Sequence, residues 1–132
     1  MACSECGTST IVFSVPESYR QYTPANATVT TLCPRCLTVE AAASVDPAGE
    51  PDFTRVSDAF PTAANAAVPL ALALGLCSSL ATNRSAIETL LEDVERAGTD
   101  PLLVLDRLSA DPTVEPAIDL ERRRHQLEQL LY

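Results

Sequence analysis

Cys3-Ser4-Glu5-Cys6-Gly7 near the start of the chain and Leu32-Cys33-Pro34-Arg35-Cys36 further along it decide how this sequence is read. Each holds two cysteines separated by two residues, and the 26 positions 7–32 lie between the pairs. Two residues between thiolates let a tight turn aim both sulfurs at one ion. Two such turns on neighbouring loops complete a tetrahedron, with metal–sulfur bonds of about 2.3 Å. Gly7 follows the first pair, where a positive φ lets backbone N–H groups point at sulfur. Pro34 stiffens the second turn, and Leu37 stands where a second glycine would be expected. The donor set points to one structural zinc ion per chain, held by Cys3, Cys6, Cys33 and Cys36.

The interval between the pairs reads as a hairpin. Ile11, Phe13 and Val15 alternate with Thr10, Val12 and Ser14, a strand pattern rich in β-branched residues. Pro16 to Asn26 reads as a connection, and Thr28-Val29-Thr30-Thr31-Leu32 is a second strand leading into Cys33. On these residues, 1–39 resembles the zinc ribbon family. The resemblance implies a metal and a fold but no single function. Rubredoxins are similar in having two such cysteine loops, a long interval and a proline in the second. That resemblance would imply iron and electron transfer. Against it stand Leu37 and a thin set of aromatics, Phe13, Tyr19 and Tyr22. In so small a β unit the metal supplies the folding free energy, about 10–16 kcal/mol in zinc-finger peptides.

Beyond the cysteines the composition changes. Residues 40–61, with Asp46-Pro47-Ala48-Gly49-Glu50-Pro51-Asp52, read as a linker or irregular arm. Residues 62–132 read as a helical domain. Ala66 to Thr82 carries no charge, with Pro69 expected in a first helical turn. Ser85-Ala86-Ile87-Glu88 matches a capping box, and Ile87, Leu90, Leu91 and Val94 form one apolar stripe ending near Gly98. Asp100-Pro101 opens a third helix with Leu102, Leu105 and Leu108 inside, and Asp111-Pro112 breaks it. Pro116 opens the last, which carries Leu120, Leu127, Leu130 and Leu131. No internal repeat is apparent. The expected fold is α+β: a small antiparallel zinc ribbon followed by a bundle of about four helices.

Charge sets the habitat. The 132 residues include 18 acidic and 9 basic ones, a net charge of −9, and every basic residue is arginine. Carboxylates hold hydration water where salt has screened long-range fields, the Debye length being about 3 Å at 1 M. An acidic, lysine-free, alanine-rich chain of this kind suits molar salt. Over nearly its whole length it resembles a group of small haloarchaeal zinc-ribbon proteins of unknown function. That likeness rests on the cysteine pairs, the alanine- and leucine-rich helix, Arg96-Ala97-Gly98-Thr99-Asp100-Pro101-Leu102-Leu103 and the arginine-rich last helix. No signal peptide is apparent at Met1-Ala2-Cys3, and paired thiols belong in a reducing compartment, so the expected location is the cytoplasm.

The remaining chemistry-bearing residues read as structural. Cys77 sits among Leu74, Leu76 and Leu80 as a buried thiol. His125, the only histidine, lies among Arg122, Arg123, Arg124 and Glu128, where Asp119–Arg123, Glu121–His125 and Arg124–Glu128 are possible i, i+4 pairs. No triad and no glycine-rich phosphate loop can be assembled, so no catalytic residue is assigned and the chain is not read as an enzyme. The uncharged run is short for a bilayer and reads as a buried helix, so no membrane partner is expected. The leading function is a non-catalytic adaptor for a protein partner. A nucleic-acid-associated ribbon, such as a transcription accessory factor, comes second, and a rubredoxin-type iron protein third. Arg122, without an acid four residues away on either side, is the expected partner contact.

Overall fold

A computed structural model describes residues 2–42 and 50–131. The Asp46–Gly49 stretch of the expected linker lies outside the described residues, as do the side chains of Leu130 and Leu131. The fold is α+β: among the described residues, a three-stranded antiparallel sheet is followed by four helices. Strands β1 (Ile11–Ser14), β2 (Val29–Leu32) and β3 (Val39–Ala41) lie in that spatial order. Ile11 faces Leu32 and Leu32 faces Val39, so the core face of the sheet carries Ile11, Phe13, Thr30, Leu32, Val39 and Ala41. The first two strands follow the alternation seen in the sequence. The third is only three residues long, too short for a periodicity to show, and it crosses the boundary at 39.

Four helices follow: α1 (Ala64–Leu76), α2 (Leu80–Arg96), α3 (Pro101–Ala110) and α4 (Leu120–Leu131). Helix α1 is buried on all sides from Ala66 to Leu74, because it lies between the sheet and α2. The helical stretch Ala64–Arg96 holds a window apolar and long enough to cross a bilayer, and a 3₁₀ turn at Cys77–Ser79 divides it into α1 and α2. Pro69 is inside α1 rather than in its first turn, since the helix starts at Ala64. Its missing N–H leaves the carbonyl of Asn65 without a helical partner, and Asn65 is exposed to water.

The capping box at Ser85 is not used. Burial of Leu80 carries the helix back to the turn at Ser79, so Ser85 is interior to α2 and its carbonyl accepts from the Thr89 hydroxyl at 3.1 Å. The apolar stripe is as expected, with Ile87, Leu90, Leu91 and Val94 all buried. Gly98, at φ 93°, closes the helix: Thr99 N–H donates to Val94 O and Gly98 N–H to Glu95 O. Asp100 caps α3, accepting from Leu102 and Leu103 N–H. Helix α4 starts at Leu120, not Pro116, because Asp119 serves as its cap, accepting from Arg122 N–H at 3.1 Å.

Between sheet and helices, residues 50–61 are irregular yet anchored. Phe53 and Phe60 stack with ring centroids 5.8 Å apart, Phe13 meets Phe53 at 5.5 Å, and all three are at most 2% exposed. Arg55 donates to the carbonyls of Ser9 and Thr10. One hydrophobic cluster therefore runs from Ile11 and Phe13 through Phe53 and Phe60 to Leu70, Leu91 and Leu127.

Candidate metal centre

The two cysteine pairs fold into matching knuckles. In the first, Cys3 N–H donates to Thr8 O and Gly7 N–H to Cys3 O; in the second, Cys33 N–H donates to Thr38 O and Leu37 N–H to Cys33 O. Gly7 has φ 77° and Leu37 has φ 63°. A leucine can hold this left-handed conformation because its side chain is 4% exposed and belongs to the main core, which repays the strain. The second turn is thus as regular as the first, although Leu37 stands where a glycine would be expected.

The threonines complete the correspondence. Thr8 Oγ1 lies 3.4 Å from Cys6 Sγ, and Thr38 Oγ1 lies 3.0 Å from Cys36 Sγ. Against a thiolate each hydroxyl donates. These partners were legible in the sequence as Cys-x2-Cys-x-Thr, written once at 3–8 and again at 33–38, a short internal repeat that a search for domain-sized repeats passes over.

All four sulfurs lie within 4.8 Å of one another. Cys3 Sγ is 3.5 Å from Cys36 Sγ, and Cys6 Sγ is 3.4 Å from Cys33 Sγ. A tetrahedron with bonds of about 2.3 Å has edges of about 3.8 Å, so the cluster fits one tetrahedrally held ion after changes of at most about an ångström in the sulfur separations. The electrostatics within the cluster are uneven. The Thr8 hydroxyl, then its N–H, brings the Cys6 thiol down to about 6. Burial pushes Cys33 up to about 12 and raises Cys36 as well. A cation offsets that desolvation by stabilising the buried thiolates.

The second knuckle is tied to the helices. Glu115 N–H donates to Arg35 O at 2.7 Å, Ala117 N–H donates to Cys36 O at 3.0 Å, and the Arg35 guanidinium meets the Glu115 carboxylate at 3.0 Å. The Ser4 hydroxyl donates to the Glu40 carboxylate, joining the first knuckle to β3. The cysteines themselves form a cluster separate from the main core.

The chain belongs to a family of unknown function, DUF6276, whose model matches residues 2–131. No curated protein and no solved structure matches it. The family description names no zinc ribbon, so the metal reading rests on the thiolate geometry.

The other residues singled out in the sequence lie elsewhere. Cys77 is buried against the end of α1, with its thiol pushed up to about 11 by burial. His125 is exposed on α4 beside Gln129. Arg124 pairs with Glu128 as expected and also with Asp106 of α3. Arg123 donates to Gln126, not to Asp119, whose carboxylate is occupied at the helix cap. Arg122 is exposed, and its guanidinium makes no ion pair among the described residues.

Proposed function

We propose that this is a zinc-stabilised, non-catalytic adaptor with a zinc ribbon at residues 1–39, binding another protein in the cytoplasm of a salt-adapted cell. The observation that carries the metal reading is the convergence of four cysteine sulfurs within 4.8 Å. With four thiolate donors the coordination sphere is filled, which leaves no position for water or substrate and makes the ion structural. Zinc is preferred over iron because Phe13, Phe53 and Phe60 pack on one another in the main core, in a cluster distinct from the cysteines. A reducing compartment keeps the thiols available as ligands.

The partner reading is supported by α4, where Arg122 is exposed and its guanidinium makes no ion pair among the described residues, beside two arginines already engaged. Elemental analysis of the purified chain is expected to find one zinc per molecule; iron with ferric-thiolate colour would overturn the metal assignment. Capture from lysate in molar KCl is expected to recover a protein partner and to weaken on Arg122→Glu, with little change in melting temperature. Recovery of nucleic acid instead would replace the adaptor by a nucleic-acid-associated ribbon. A melting temperature that rises from dilute buffer to molar KCl is the expected mark of the acidic, lysine-free surface.

A further inference from the structure

We propose that the cysteine centre is also a redox-released latch: a hydroperoxide oxidises Cys6, Cys33 closes a disulfide on it, and loss of the metal frees residues 115–117 from the second knuckle. This rests on the zinc reading above. Cys6 is exposed, whereas Cys3, Cys33 and Cys36 are all less than 10% exposed. Oxidation of thiols follows access, so the sulfur that a peroxide meets first is that of Cys6. The Sγ of Cys33 stands 3.4 Å away, on the other knuckle, where it can resolve the oxidised sulfur with a shift of little more than an ångström.

The chemistry balances with a hydroperoxide as the oxidant. The Cys6 thiolate attacks the terminal oxygen, the O–O bond breaks, and the leaving oxygen takes a proton from solvent, giving a sulfenic acid. The Cys33 thiolate then attacks that sulfur, the S–O bond breaks, and the departing hydroxide is protonated to water. The two sulfurs lose two electrons, and the peroxide gains them. Two of the four donors are consumed, and the ion is released.

The readout lies in the backbone. The carbonyls of Arg35 and Cys36, between and at the ligands of the second knuckle, accept from Glu115 and Ala117 N–H at 2.7 and 3.0 Å. Residues 111–119 join α3 to α4, so the knuckle holds the connection that sets the start of α4. When Cys33 turns toward Cys6, these carbonyls lose their fixed positions. Cys77, 2% exposed and enclosed by the helical core, is an internal control that stays reduced.

The test uses the full zinc-loaded chain titrated with hydrogen peroxide. Zinc content before oxidation tests the metal reading by itself, since a chain without zinc sinks that reading before any peroxide is added. Zinc release is then followed with a chromogenic chelator, the first disulfide is mapped by peptide mass, and amide exchange is read at Glu115 and Ala117. The expected result is one zinc released per Cys6–Cys33 disulfide, with exchange at both amides faster by about tenfold or more. Cys77→Ser is expected to release zinc at the wild-type rate. A first disulfide lacking Cys6, release slowed by Cys77→Ser, or unchanged exchange at 115 and 117 after release would each overturn the latch.

Discussion

Gly75 of α1 and Val39 of β3 approach so closely that a methyl group on Gly75 would lie 2.8 Å from Val39 Cβ. This is where the sheet seats on the central helix, three residues beyond the last cysteine ligand. Gly75→Ala must push β3 away or distort α1. The expected cost is about 1–3 kcal/mol, the range for overpacking a close contact. Val39→Gly in the same chain, which removes that Cβ, is expected to recover part of it, and a double-mutant cycle from denaturant melts measures the coupling. Additive losses would show that the two residues do not press on each other.

The left-handed pair gives a second expectation. Gly7 has nothing within 4 Å of the position its Cβ would take, so Gly7→Ala meets only backbone strain, about 1–2 kcal/mol. Leu37→Gly relieves similar strain but empties a buried site, and losing a core leucine costs about 2–5 kcal/mol. Burial wins, and the net change is a loss of stability. Urea melts of both variants in the zinc-loaded state check this, and a stabilised Leu37→Gly would show that conformational strain dominates the second knuckle.

Much of this arrangement was legible because it obeys local rules. The cysteine spacing, the Ile11–Phe13–Val15 alternation, the Gly98 helix end and the Asp100 cap each carry their own signal in a few adjacent residues. What the sequence hid was decided by packing. Leu37 takes a glycine's conformation because the core wants its side chain. Ser85 forgoes a cap because Leu80 is worth burying in helix. Phe53 and Phe60, in a stretch that reads as irregular, fill the space between sheet and helices. Arg122 was singled out by its missing neighbours; it is exposed, and its guanidinium makes no ion pair among the described residues.

Thr30 offers a gain. It is fully buried on the core face of β2, opposite Phe13 and Ala41, and its hydroxyl has no hydrogen-bond partner among the described residues. A buried unsatisfied hydroxyl costs about 1–3 kcal/mol. Thr30→Val keeps the branched shape and removes the orphan, so it is expected to stabilise the chain by about 1 kcal/mol. A shift of the urea midpoint downward would indicate that the hydroxyl has a partner, such as an ordered water.

Tyr19 supplies the pH dependence. Its hydroxyl donates to Asp93 Oδ2 at 2.8 Å, joining the 17–22 turn to α2. Burial first, and then Asp93, hold the phenol up to about 12. The folded value lies above the unfolded one of about 10, so folding favours the neutral phenol. That contribution is complete below about pH 10 and is lost as pH rises toward about 12. Tyr19→Phe is expected to cost about 0.5–1.5 kcal/mol at neutral pH and to flatten the alkaline fall. Urea midpoints against pH for both chains decide it, and an equally steep fall in Tyr19→Phe would assign the loss to another group.

Chelation tests how far the three expected units, 1–39, 40–61 and 62–132, behave as separate ones. Composition alone favours a helical part that folds without metal. The packing argues for coupling: Ile11, Phe13 and Leu32 of the sheet share a cluster with Leu70, Leu91 and Leu127, and Phe53 and Phe60 fill the join. The second knuckle also holds Glu115 and Ala117 through its carbonyls. A structural zinc contributes folding free energy of the order of 10 kcal/mol in small peptides, against a total stability of about 5–15 kcal/mol for a typical domain. Removing it should therefore reach the helices. With a strong chelator the helical circular dichroism is expected to melt at a temperature lower by about 10 °C or more, together with the sheet, in one transition. Retention of the helical melt at its original temperature, while the cysteines become reactive, would show that residues 62–132 stand alone and that the shared cluster is a docking contact between units.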